Sequence, residues 1–197
     1  MVALIRLIVA LQMLALPMWV GAAMVRPSLG PARRLARAGL PVVGIAAVLV
    51  VLALIEGSGQ TGAVLRTQAL AAGFAFLLAG LAVFLERFTG PRAAQMLTFL
   101  LGTGLVAGIL LVGPVVEMLD GEAKAAVVRL AVYPNPLVTA QYELGLPWLH
   151  QSLTYRLTPL GESYRYLLKD LAWWKTVLAH VFVGSGFLVF SRRRKGA

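Results

Sequence analysis

The chain has no cysteine. That excludes disulfides, thiolate metal sites, iron–sulfur ligation and a cysteine nucleophile. Charge is scarce too: Asp, Glu, Lys and Arg make up 13% of the 197 residues, against about 25% in an ordinary soluble domain. Acids are fewest, 8 against 18 bases, for a formal net charge of +10. There are two histidines, His150 and His180. The sequence contains no P-loop, no HExxH, no GxSxG and no dinucleotide-binding glycine pattern. Any ATP that drives this protein is therefore expected to be hydrolysed by another chain.

What the sequence has in abundance is apolar residues, 59% of the total, with a mean hydropathy of +0.83. A bilayer core needs about 20 apolar residues of helix. Five stretches approach that length: residues 2–24, 40–55, 67–85, 93–116 and 172–190. Backbone polar groups in lipid must be paired inside their own segment, so each run is expected to be a helix. The fold class is an all-α, polytopic transmembrane bundle of about five spans, and residues 1–197 form a single membrane domain. A bilayer is thus the first partner.

The charges between the runs set a topology. Residues 25–39 carry Arg26, Arg33, Arg34 and Arg37, residues 86–92 carry Glu86, Arg87 and Arg92, and the tail carries Arg192, Arg193, Arg194 and Lys195. Those regions share one side if there are five crossings, with ten bases against one acid. The other side holds seven of each. Basic loops stay cytoplasmic. The expected placement is a bacterial plasma (inner) membrane with the N-terminus outside and the C-terminus in the cytoplasm. In an alternative reading, residues 2–24 are a signal peptide, with Arg6 at its start and Gly21-Ala22-Ala23 as the cleavage site, which would invert everything after it. The basic surplus does not indicate nucleic acid, because no basic face is interleaved with stacking aromatics.

Residues 117–171 form a long outer segment. All five tyrosines, including Tyr142 and Tyr155, lie in it with Trp148, and Trp173 and Trp174 close it. Such rings favour the membrane–water interface, so the segment is expected to lie on the membrane surface as short helices. Asn135-Pro136 reads as a helix start, with Asn135 as cap, and Thr158-Pro159 as a second one.

Candidate chemistry is sparse. His150 reads as interfacial and His180 as hydrogen-bonded inside the bundle; their placement does not suit a haem pair between spans. No metal site, cofactor or catalytic residue is expected. Arg6 and Lys175 read as snorkelling cations, and Gln12 as a mid-span hydrogen-bonder to a neighbouring helix. Gly102, Gly104 and Gly108 in the fourth span, and Gly184 and Gly186 in the fifth, read as helix-packing positions. Pro114 reads as the kink of the fourth span. Glu117, Asp120, Glu122 and Glu143 read as a solvated acidic face.

The C-terminal third carries Asn135-Pro136-Leu137, then Leu157-Thr158-Pro159-Leu160, then Trp173-Trp174, and ends in Ser191-Arg192-Arg193-Arg194-Lys195. This order resembles the permease subunits of ABC-2-type transporters. Those often have such a motif after the penultimate span, an outer re-entrant or interfacial helical segment, a final span and a basic tail. The likeness covers about 65 residues. It implies a non-enzymatic subunit of a transport assembly for an amphiphilic substrate, with residues 25–39 meeting a cytoplasmic ATPase and with possible homodimers. The family's six spans are one more than this chain offers. Two other readings stand beside it. One is a scaffold subunit of a respiratory or photosynthetic complex, joined to other membrane subunits through the fourth span and the outer aromatic belt. The other is an enzyme acting on lipids through His150 with Glu143 or nearby tyrosines.

Overall fold

A computed structural model describes residues 2–24, 31–57, 59–145 and 172–192, and among these it consists of helices joined by short turns, with no strand. The described residues form eight helices: α1 (Val2–Met24), α2 (Pro31–Glu56), α3 (Thr61–Thr89), α4 (Pro91–Ala107), α5 (Ile109–Glu117), α6 (Gly121–Val132), α7 (Pro136–Glu143) and α8 (Trp173–Arg192). Four of them, α1, α2, α3 and α8, are long and apolar enough to cross a membrane, and α4 with α5 makes a fifth span if the bent pair counts as one. This is the architecture of a multi-pass membrane bundle.

The helices outrun the apolar stretches that announce them. The span expected at 40–55 begins at Pro31, and the one expected at 67–85 runs from Thr61 to Thr89. A helix does not stop where the hydrocarbon stops, and its polar turns continue into the headgroup layer. Arg33, Arg34 and Arg37 therefore stand on the first turns of α2 rather than in a loop.

A proline inside a membrane helix is tolerated where a neighbour takes up the carbonyl it releases. Pro41 has no amide to give the carbonyl of Arg37, four residues earlier. The Trp19 indole of α1 donates to that carbonyl at 3.1 Å.

At the centre lies α3, which touches α1, α2, α4, α7 and α8. Lipid supplies no hydrophobic drive between helices, so close backbone approach must hold them. Small residues on α3 allow it: Ala71, Ala75, Ala79, Gly80 and Ala82 are all buried. A Cβ placed on Gly80 would land on the carbonyl oxygen of Gly184 in α8.

One polar pair is sealed inside. Gln12 of α1 and Gln68 of α3 exchange both amide hydrogen bonds, each at 3.0 Å, and both side chains are buried. Changing either to leucine leaves the other with an unmet donor and acceptor. Each single change is expected to cost about 1–2 kcal/mol, and the double change to recover most of it. A double-mutant cycle on thermal melting in detergent measures this; strictly additive losses would mean that the pair is not coupled.

Ion pairs and caps fix which ends share a side. Arg34 meets Glu86 at 2.9 Å and donates to the Met24 carbonyl at 3.0 Å. Arg87 donates to the carbonyls of Phe190 and Ser191 at 2.8 and 3.0 Å. The starts of α2 and α4 thus lie with the ends of α1, α3 and α8, and Arg33, Arg34, Arg37, Arg87 and Arg92 gather at that end. Arg6, Arg66 and the end of α7 occupy the other.

Candidate functional site at the broken span

The fourth span is not continuous. Between α4 and α5 the axis turns by 60°. The break sits at Gly108, not at Pro114, which lies inside α5. Gly108 donates to the Gly104 carbonyl, and a Cβ on Gly108 would strike that same carbonyl oxygen. This tight approach requires glycine at 108, so Gly104–Gly108 serves a bend inside the chain rather than a seam between its helices. Of the other glycines, Gly102 is packed against Leu78 and Pro17, and Gly184 against Phe76 and Leu77. A Cβ on Gly104 or Gly186 would meet nothing within 4 Å outside its own helix.

A bend of this size aims the last carbonyls of α4 away from the amides that would continue the ladder. Asn135 receives them. Its side-chain amide donates to the carbonyls of Leu105 and Val106 at 3.0 and 2.9 Å. Its oxygen accepts from the amides of Leu137 and Val138 at 3.0 and 3.2 Å, capping α7. Asparagine alone among the capping residues has both an oxygen for the amides and two N–H groups for the carbonyls. Asn135 is fully buried and Pro136 is buried with it at the first helical position.

The helix that follows is therefore not a surface helix. Residues Pro136 to Gln141 of α7 are all buried against α1, α3 and α8. The expectation of a segment lying on the membrane fails here because periodicity does not distinguish a helix on a surface from one re-entering the bundle. Over its eight residues α7 rises about 12 Å, from the break to the end of the bundle bearing Arg6.

That end is latched from two sides. Arg6 of α1 donates through Nε and Nη2 to the Leu144 carbonyl at 3.2 and 2.8 Å, and Gln141 returns a bond to the Arg6 carbonyl at 3.3 Å. A guanidinium at a helix C-terminus both pairs its open carbonyls and suits its dipole. Arg66 of α3 meets Glu143 at 2.6 Å, so Glu143 is an ion-pair partner rather than part of a solvated acidic face. At the other end of α7, Thr176 donates to the Tyr133 carbonyl at 2.9 Å, and His180 lies 2.9 Å from the Pro134 carbonyl. A carbonyl partner requires the proton on Nε2, and His180 is buried with its ring 5.6 Å from that of Phe74. His180 is a clamp on the turn before α7.

Beside this assembly lies an apolar groove of about 460 Å³. On α1 it is lined by Ala3, Leu7, Ala10 and Leu14, a spacing that keeps them on one helical face. Across from them stand Val106, Ala107 and Leu110 at the break and Leu137 of α7. The polar members of the lining are Arg6 and Gln141. Residue spacing alone does not reveal the groove, because its walls come from helices far apart in sequence.

Other expected residues sit apart from it. Tyr142 and Trp174 are exposed, and Trp173 is half-buried. Arg26, Trp148, His150, Tyr155, Pro159 and the tail beyond Arg192 lie outside the described residues. Among the described residues no three His, Asp or Glu side chains gather as a metal site. No protein-family model, curated protein or solved structure matches the chain.

Proposed function

We propose that this chain is a non-enzymatic membrane subunit of a transport assembly, similar to an ABC-2-type permease, which moves an amphiphilic substrate while a separate ATPase works at its basic end. The observation that carries this reading is the broken fourth span, held open by Asn135 on a re-entrant helix with an apolar groove beside it. Irregular backbone at membrane depth is tolerated where it is buried in protein or lines a cavity, and a break at such depth is a common way to build a path. The basic end matches the positive-inside expectation, which puts Arg33, Arg34 and Arg37 in the cytoplasm and Arg6 outside. The way α1 packs on α2, α3, α4 and α7 supports a retained first span over a cleaved signal peptide.

Within that basic end the arginines have different work. Arg34 bonds Glu86 and Met24 and so ties α2 to α3 and α1. Arg33 is exposed and is the better partner contact. Co-purification in gentle detergent is expected to bring down an ATP-binding-cassette protein. Arg33→Ala with Arg37→Ala is expected to lower its recovery about tenfold without changing the melting temperature of this chain. Undiminished ATPase recovery would count against the contact, and recovery of no ATPase would count against the assembly. Gly104 and Gly186, with open space over them, support a second reading as a scaffold whose neighbours pack there. Co-purification with haem- or pigment-bearing subunits instead of an ATPase would establish that reading.

A further inference from the structure

We infer that the groove between α1, the break and α7 binds one glycerophospholipid, its acyl chain against Leu7, Ala10 and Leu14, its phosphate on Arg6 and a head-group donor on Gln141. This deepens the transport reading and rests on it only for the lipid's role as cargo; binding itself stands on the geometry below.

The groove has the make-up of a ligand site: a concave apolar body with a few convergent polar groups at one end. Its volume of about 460 Å³ lies in the range of such sites. An exposed apolar face in a bilayer needs no special occupant, since any lipid tail covers it. The polar end distinguishes this one. Arg6 spends Nε and Nη2 on Leu144, and Nη1, with its two N–H groups, has no partner among the described residues. Among the described residues no acid lines the groove to neutralise that cation. Phosphate oxygens are its natural complement.

Gln141 adds an independent requirement. It is 4% exposed, and its Oε1 is a buried acceptor with no partner among the described residues. The amide orientation is fixed, because its nitrogen donates to the Arg6 carbonyl and a flipped amide would set two oxygens together. A buried acceptor left unpaired is costly. Gln141 and Arg6 both line the groove, so an occupant that pairs this acceptor brings an N–H or O–H close to an anion held by Arg6. A phosphate ester with a hydroxyl or ammonium head group does this, whereas an uncharged lipid and a choline head group do not.

The test uses the full chain in mild detergent, with retained lipid counted by native mass spectrometry. Phosphatidylglycerol, phosphatidylcholine and diacylglycerol with identical tails are offered separately, with inorganic phosphate as a fourth probe. One phosphatidylglycerol per chain is expected, held about tenfold more tightly than diacylglycerol, with phosphatidylcholine between them and free phosphate unbound. Ala10→Phe fills the groove while leaving the Arg6–Leu144 latch in place, and should reduce retention about tenfold. Val51→Phe, on the exposed face of α2, should leave it unchanged. Arg6→Gln should remove the preference over diacylglycerol, and Gln141→Leu the preference over phosphatidylcholine. Equal retention of diacylglycerol and phosphatidylglycerol, or undiminished binding in Ala10→Phe, overturns the site. Lipid retention without any ATPase partner would leave the site standing and remove the transport reading; the converse would remove the site alone.

Discussion

Asn135→Leu is expected to collapse the break in the fourth span and to be among the most damaging single changes in the chain. The substitution is close in volume but removes four hydrogen bonds at once, two to α4 carbonyls and two from α7 amides. Each orphaned group costs about 1–3 kcal/mol when buried. Their losses are coupled and do not simply add, so a total of about 4–5 kcal/mol is expected, the level that marks a broken buried network. The two halves of the contribution are separable. Asn135→Asp keeps the acceptor that caps α7 but points a carboxylate at the carbonyls of Leu105 and Val106. It is expected to be at least as harmful as leucine. Asn135→Ser keeps the cap in weaker form and loses the bonds to α4, and should fall between leucine and wild type. The absence of native cysteine gives a direct readout. A single cysteine at Leu105 should be slow to label in the native background and quick to label beside Asn135→Leu. An unchanged melting temperature with an unchanged labelling rate would show that the break holds without Asn135.

The same residue shows how far the sequence can be read. Asn135-Pro136 announces a helix start, and the structure has one there with the cap in place. Nothing in the local pattern says that the same side chain reaches back about thirty residues to a broken helix. Capping is a short-range effect and leaves a local signature; the bond to Leu105 and Val106 depends on where a distant span bends. The position of the bend escapes the sequence for a related reason. Pro114 is the obvious breaker, yet a proline inside a lipid-facing helix is often accommodated, whereas Gly108 permits an approach to Gly104 that no side chain would allow. The five apolar runs were legible because a bilayer imposes a length, and the charged ends because it imposes an orientation. Arg6 and Glu143 read as solvated or snorkelling charges when taken singly. Their roles as the latch and the ion pair on α7 appear only once α1, α3 and α7 meet. The groove is the limiting case, since each wall residue is an ordinary apolar residue of an ordinary span.

Gly80→Val is expected to force α3 and α8 apart. A Cβ on Gly80 meets not only the Gly184 carbonyl oxygen but also its carbonyl carbon and Cα, at 3.0 and 3.1 Å. From the other side, a Cβ on Gly184 would lie 2.9 Å from Phe76 Cδ1 and 3.0 Å from Leu77 Cα. Backbone cannot rotate out of the way as a side chain can, so the helices must separate along the seam. Overpacking costs about 1–3 kcal/mol where side chains can yield, and this contact belongs at or above the top of that range. The damage should not stay local. Thr176 and His180 on α8 hold the carbonyls of Tyr133 and Pro134, so a displaced α8 pulls on the turn that positions Asn135. Gly80→Val should therefore also speed labelling of a cysteine at Leu105. Gly186→Ala provides the control on the same helix, because open space lies over it. A helical glycine with room for a methyl group gains about 0.5–1 kcal/mol when changed to alanine, so its melting temperature should hold or rise. If the two variants melt alike, the α3–α8 seam is not held by close backbone contact. If Gly80→Val melts early but leaves Leu105 protected, α8 and the break are mechanically independent, and no motion of the last span could open the groove.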